Sequence, residues 1–285
     1  MKEREEGTLQ RLPGALSETS YMRLADFVLP TAPSFPMLPA VLPLTDNHAR
    51  RSISINAAGT HASRCSAHAL LNQRYSWRGY EEVSMPHADS VSHFPLTATQ
   101  DGQIIGTLTV GLDGSSGLNC DRAFEAEVQL LRDQGARLCE FTKLAVDASF
   151  GGKHVLAALF HVAYLAADRL GKVDTLLMEV NPRHVRYYMR MLGARVIGDV
   201  RANTQVNAPA VLLSMAFRDV RGKIDDIAGS PHCVGGERSL YSLAFTRQEE
   251  DAIIDRLTRR GPSGDDVTPF GFRLPKAQMA AGGEH

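Results

Sequence analysis

The stretch Asp174-Thr-Leu-Leu-Met-Glu-Val-Asn-Pro-Arg-His-Val-Arg-Tyr-Tyr-Met-Arg-Met-Leu-Gly193 decides how the rest of the chain is read. Asp174 to Val180 is a short run, apolar at its centre, which predicts a buried strand. Asn181-Pro182 then marks a helix start: an asparagine side chain can accept from the orphan amides of a first turn, and proline is preorganised at the first helical position. Val185, Tyr188, Met189 and Leu192 recur at helical spacing, and Gly193 supplies the stop. A buried strand feeding directly into a helix is the repeating unit of an α/β domain.

Upstream, Lys153 to Leu170 predicts a helix apolar on nearly every side, hence one packed against a sheet. Before it come a strand from Arg137 to Val146 and a helix from Asp121 to about Arg132. Phe94 to Thr99 and Ile104 to Val110 flank Asp101-Gly102, a dipeptide that tolerates the positive φ of a tight hairpin. Ile53-Ser-Ile55 reads as a strand and His61 to Gln73 as a helix, followed by the aromatic segment Arg74-Tyr-Ser-Trp-Arg-Gly-Tyr80. Downstream, Arg195 to Val200 and Ala210 to Phe217 read as two further strands. The expectation is an α/β fold, a mixed central sheet with flanking helices over residues 51–220, plus N- and C-terminal extensions. Residues 1–50 form a proline-rich arm expected to add little core. Residues 221–285 carry one helix, announced by the capping box Thr246-Arg-Gln-Glu249 and stopped at Gly261-Pro262, and a loose tail.

Composition narrows the function classes. The 285 residues hold 31 Lys+Arg against 32 Asp+Glu, so the chain lacks the cationic excess that drives nucleic-acid binding. Phe27 to Leu44 is apolar but interrupted by Pro30, Pro33, Pro36, Pro39 and Pro43, which excludes a continuous membrane-spanning helix; no transmembrane segment and a cytoplasmic location are expected. Cys65, Cys120, Cys139 and Cys233 form no CxxC pair, which argues against a disulfide framework. His61, Cys65 and His68 would align on one helix face, but no fourth ligand is evident nearby, and a zinc site is not expected.

The element order, a β-hairpin ahead of a strand–helix–strand–helix unit, resembles the GNAT N-acyltransferase superfamily. Glu140-Phe-Thr-Lys-Leu-Ala-Val-Asp147 is similar to that fold's fourth strand, and Phe150-Gly-Gly-Lys-His-Val-Leu156 to its acyl-donor loop. The block from Glu179 to Gly193, together with Arg74 to Tyr80, resembles the long-chain N-acyl amino acid synthases, relatives of the acyl-homoserine-lactone synthases. Ordinary acetyltransferases cradle a pyrophosphate on an Arg/Gln-x-x-Gly-x-Gly/Ala loop. Here those positions are Gly151, His154 and Leu156, and bulk at a close-approach position disfavours a coenzyme A seat. The resemblance implies a fatty acyl group delivered by acyl carrier protein to the α-amine of an amino acid. It implies no metal or redox cofactor, and a lipid product that brings transient membrane contact within range. A small-acyl, coenzyme A-dependent acetyltransferase and a catalytically silent sensor of acyl carrier protein or an acylated metabolite are the alternatives.

Glu140, in an otherwise apolar strand, is either a structural carboxylate or a base for the attacking amine; its likeness to the Glu-x-x-Arg strand of the lactone synthases favours the base. Lys143 stands where those enzymes have the arginine, as an anchor for a carboxylate or a donor carbonyl. A regular strand sends Glu140 and Lys143 to opposite faces, so a shared site requires a bulge. Tyr187 and Tyr188 lie near the tyrosine that protonates the leaving thiolate in acetyltransferases. Tyr188 shares the apolar stripe, which leaves Tyr187 to face the site. Arg74, Tyr75, Trp77 and Arg78 offer cations and aromatic surface for an amino acid, with Trp77 the more suited to packing. Donor contacts are expected from Ala145, Val146, Gly151, Gly152, Lys153, His154 and His184, and the acyl tail is expected among Phe141, Leu156, Phe160 and the final strand.

Overall fold

A computed structural model describes residues 41–42, 53–58, 60–77, 79–80, 83, 86, 90, 92–150, 152–228 and 239–258. The strands are β1 (Val41–Leu42), β2 (Ile53–Ala57), β3 (His93–Gln100), β4 (Gln103–Leu112), β5 (Leu138–Val146), β6 (Thr175–Val180), β7 (Arg195–Val196), β8 (Arg201–Asn203) and β9 (Ala208–Ala216). The helices are α1 (His61–Ser76), α2 (Asp121–Asp133), α3 (Gly152–Gly171), α4 (Val185–Leu192), α5 (Phe217–Ile227) and α6 (Arg247–Thr258). The sheet runs β1-β2-β3-β4-β5-β6-β9-β7, with β8 paired to β9. Every pairing is antiparallel except β5 with β6. None of the described helices is long and apolar enough to cross a membrane.

Local chemistry fixes the ends of the elements. Asp101 and Gly102 take φ of +50° and +79° and turn the β3–β4 hairpin. Asn181 accepts from the Arg183 amide, Pro182 follows, and Gly193 closes α4 in the left-handed region at φ +72°. Gly106 on β4 lets α3 approach closely: a Cβ there would lie 2.9 Å from Val155 and 3.0 Å from Leu159.

Four features differ from the sequence expectation. Within the proline-rich arm, Val41 and Leu42 pair with Ser54 and Ile53 as a short edge strand. Of the expected strand over residues 195–200 only Arg195–Val196 is strand, and β8 follows separately at Arg201; between them the amides of Ile197 and Gly198 converge on the Leu212 carbonyl and Gly198 packs against the Phe124 ring. Phe217 does not end β9 but opens α5, which crosses residue 220 and buries Phe217, Val220 and Ile224. The all-round apolarity of α3 has two causes, since the sheet covers one side while α6 and the turn Leu240–Leu243 cover another. The anticipated tail after residue 258 lies outside the described residues.

Candidate active site

The site begins where two parallel strands part. β5 and β6 pair only from Leu138–Thr175 to Glu140–Leu177, and beyond that register they diverge. Antiparallel β4 stays with β5 and antiparallel β9 stays with β6, so the sheet splays into a fork. A cavity of about 150 Å³ occupies it, lined by Phe141, Thr142, Lys143 and Leu144 on one strand and Met178, Glu179 and Val180 on the other. Tyr75, Tyr80, Asn119, Phe160, Asn181, Arg183, His184, Tyr188 and the β8–β9 hairpin form most of the remaining wall.

A bulge turns Lys143 into this cleft. Between Thr107 and Thr109 on β4 the opposing strand runs from Ala145 to Thr142, one residue more than its partner, and Lys143 adopts φ +56°. Lys143 thereby escapes the alternation that would set it opposite Glu140. Burial pulls its ammonium below its ordinary range, with the attraction of Glu140 opposing the shift and the repulsion of Arg122 adding to it.

Glu140 itself does not line the cavity; its side chain reaches the start of α2 and is 1% exposed. One carboxylate oxygen accepts from the Asn119 amide at 3.0 Å and from the Asn119 side chain, and the other accepts from the Cys120 amide at 3.1 Å. Those donors sit at the N-terminal end of α2, where a carboxylate complements the helix dipole. His93 Nε2 lies 3.7 Å away.

The carboxyl on the cavity wall is Glu179. Burial pushes it up to about 7, the hydrogen bond from Asn203 Nδ2 at 2.7 Å opposes the rise, and the charge of Glu140 adds to it. Such a group exchanges a proton near neutrality. The signal was visible in the sequence, since Glu179 interrupts an apolar strand just as Glu140 does.

The remaining expected residues divide between the cleft and its surroundings. Tyr75 lines the cleft and meets Tyr80 edge-to-face at 5.3 Å. Arg74 points elsewhere, pairing with Asp147 at 2.9 Å, and Trp77 is 73% exposed. Arg78 and Gly151 lie outside the described residues. Tyr188 is on the cavity wall, with its hydroxyl driven well above the ordinary range by burial; half-buried Tyr187 is not on that wall. Ala145 and Val146 are fully buried at the end of β5, Gly152 is buried at the start of α3, Lys153 is exposed and His154 half-buried. None of these five lines the cavity, whereas His184 does. The Asp147 amide donates to the Ile105 carbonyl, a ladder phase that directs the Val146 amide away from β4, to the side of the fork.

Sequence reasoning missed the cluster at the cavity mouth. The Tyr80 hydroxyl accepts from Asn181 Nδ2 at 3.1 Å and from the Arg183 guanidinium at 3.0 Å, and Arg183 also donates to His184 Nε2 at 3.3 Å. An arginine beside a helix-capping asparagine gives no periodic signal, and the three residues meet only through the fold. A second, apolar cavity of about 40 Å³ lies on the α3 side of the sheet, and Phe141 and Phe160 line both spaces.

No curated protein sequence matches the chain. The solved structure of FeeM, an N-acyl amino acid synthase from uncultured soil microbes, matches with a TM-score of 0.54 at 22% identity, over 60% of this chain and 94% of that one. An acyl-CoA N-acyltransferase from Pseudomonas aeruginosa matches with a TM-score of 0.40 at 16% identity, over 58% of this chain and 99% of that one. The family model of the N-acyl amino acid synthase FeeM matches residues 66–216, from within α1 to the end of β9 and so across the whole fork. With more than half of its 285 residues under that model and a GNAT-like sheet around the cleft, the chain belongs to the FeeM N-acyl amino acid synthase family and is an N-acyltransferase.

Proposed function

We propose that the protein transfers a long-chain fatty acyl group from acyl carrier protein to the α-amine of an amino acid. The observation that carries the reading is the fork cleft, where a carboxyl poised near neutrality and a half-buried lysine share one cavity and a second, apolar cavity adjoins it at Phe141 and Phe160. In this reading the base is Glu179, and Glu140 serves to hold the start of α2. The acceptor enters as an ammonium, Glu179 takes one proton, and the freed amine attacks the thioester carbonyl. The C–N bond forms, the C–S bond breaks, and Glu179 passes its proton to the leaving thiolate; the carboxylate so regenerated takes the second proton from the acylated nitrogen and releases it to solvent. The Val146 amide is the candidate donor to the developing oxyanion. Lys143 and Arg183, cations that line the cleft, are the candidate partners of the acceptor carboxylate.

Two features support a carrier-protein donor with a long chain. The bulk of His154 and Leu156 at the loop positions where acetyltransferases keep small residues disfavours a pyrophosphate seat, while a phosphopantetheine arm carries a single phosphodiester. The 40 Å³ apolar cavity past Phe141 and Phe160 offers room for a tail. No metal or redox cofactor enters the reaction as written.

The test is mass spectrometry of lipid extracts from cells expressing the wild type, Glu179→Gln and Glu140→Gln, followed by initial rates with acyl carrier protein and coenzyme A thioesters of one chain length. New N-acyl amino acids that disappear with Glu179→Gln, and faster turnover of the carrier-protein thioester, are expected. Well-expressed, folded protein that produces no N-acyl amino acid, or that prefers acetyl-coenzyme A, overturns the proposal.

A further inference from the structure

The family match ends at residue 216, yet the chain continues into an ordered segment that packs back on the catalytic domain. The turn Leu240–Leu243 and α6 cover the side of α3 that the sheet leaves open, and α5 packs behind the turn with Phe217 against Tyr164 of α3. Polar contacts hold them there. His161 on α3 contacts Glu250 at 2.9 Å, and Arg221 donates to both oxygens of that carboxylate. The Tyr241 hydroxyl donates to the Leu192 carbonyl at 2.9 Å, and Ser239 Oγ to the Met191 carbonyl at 3.3 Å.

This segment walls the 40 Å³ cavity. Six of its fourteen lining residues, Phe217, Val220, Ile224, Leu240, Tyr241 and Ala244, come from beyond the family match. The cavity abuts the cleft at Phe141 and Phe160, whose rings meet edge-to-face at 5.7 Å. Its volume corresponds to roughly three water-sized spheres, or the last few carbons of an aliphatic chain. Cores pack to crystal-like density, so an apolar void kept beside a reaction cleft is a place for an apolar group to enter.

We infer that the C-terminal segment is the floor of the acyl-tail slot and sets the length of chain the enzyme accepts. The inference rests on the acyltransfer reading above. The tail passes the Phe141–Phe160 pair from the fork, runs along α3, and ends against Leu240 and Ala244. Because hydrogen bonds from Tyr241 and Ser239 pin the floor to the end of α4, its depth is fixed.

The experiment reads binding independently of turnover: thermal stabilisation of the full chain by a series of free fatty acids from octanoate to stearate. Leu240→Ala removes three carbons from the floor, and the chain giving maximal stabilisation should lengthen by about two carbons. Ala244→Phe fills the slot, and the maximum should move to shorter chains by a similar step, with circular dichroism certifying the fold. The acyl lengths of N-acyl amino acids from cells expressing the same variants should shift in parallel. Unchanged chain preference in both folded variants overturns the inference, as does wild-type protein that no fatty acid stabilises. Length-dependent shifts in binding without any N-acyl amino acid would retain the slot and its floor, and reject the acyltransfer reading instead.

Discussion

Replacing Glu179 by glutamine should raise stability and abolish turnover together. Each pKa unit separates two protonation states by about 1.4 kcal/mol. A carboxyl moved from an ordinary 4.5 to about 7 therefore makes its ionised form cost the folded chain about 3 kcal/mol, an upper bound because the cleft opens to water. The sign follows from the direction: a raised carboxyl favours the folded state while protonated, and this advantage is lost progressively as pH rises from 4.5 through 7. Glutamine keeps an oxygen for the Asn203 amide at the same reach but never ionises. Urea unfolding at pH 5 and pH 8.5 should give nearly equal stabilities for the two proteins at the lower pH. At the higher, Glu179→Gln should be more stable by about 1–3 kcal/mol. The same substitution should lower the rate of acyl transfer by about 10²–10⁴-fold, the range for losing a positioned base. A wild-type advantage at pH 8.5, or full turnover by a folded Glu179→Gln protein, refutes the reasoning.

At Lys143, φ of +56° should invert the usual strand preference: Lys143→Gly should be more stable than Lys143→Val by about 1–2 kcal/mol in urea midpoints, because a β-branched residue suffers most in the left-handed region. Gly106→Ala should cost about 1–3 kcal/mol by calorimetry, since its Cβ would press on Val155, Leu159 and the Ala145 carbonyl. The attachment of the C-terminal segment should fail in acid. Burial holds the His161 imidazole below its ordinary 6.5 despite Glu250, and its Nδ1 accepts from the Phe245 amide, so the neutral ring is the one that fits. Stability from that contact is complete above 6.5 and declines as pH falls below it. Hydrogen exchange at residues 240–257 should accelerate below pH 6 before the β4–β5 ladder does; uniform acceleration along the chain counts against the reasoning.

What the sequence disclosed follows the range of each signal. The β3–β4 hairpin was legible because Asp101-Gly102 carries its own turn chemistry, and α4 because Asn181, Pro182 and Gly193 mark both ends. α5 was not, because β9 runs into it without a break, so the apolar Phe217, Val220, Ile224 and Ile227, set among charged residues and Gly222, begin where an apolar strand has only just ended. The requirement for a bulge was readable as a condition on Glu140 and Lys143; its position depended on β4, one strand away. Glu140 and Glu179 gave the same local signal, a carboxylate in an apolar strand. Only tertiary packing separates them, since the amides of Asn119 and Cys120 reach one and the cavity reaches the other.

If the proposed reaction is right, the fork explains how one short reach of sheet serves a substrate that is ionic at one end and oily at the other. Alternation along a strand sends successive side chains to opposite faces, so β6 offers Glu179 to one side and Met178 and Val180 to the other, while Thr142 and Phe141 divide likewise on β5. In a closed sheet those faces never meet, because the hydrogen-bond ladder seals the space between strands. Parting β5 from β6 beyond Glu140 and Leu177 removes the seal, and a molecule lodged in the gap touches both faces at once. A head group can then trade its proton with a carboxyl on the polar side while an aliphatic chain leaves through the apolar side past Phe141. A base near neutrality needs partial burial, and a hydrocarbon slot needs dryness; the edge of a splayed sheet meets both needs with residues one position apart. What lies at the end of the slot is then a separate variable from the chemistry at the fork. The 40 Å³ cavity proposed as that end is walled in part by residues past 216, beyond the reach of the family match, so under the proposal the accepted chain length can change without disturbing the carboxyl assigned to the amine.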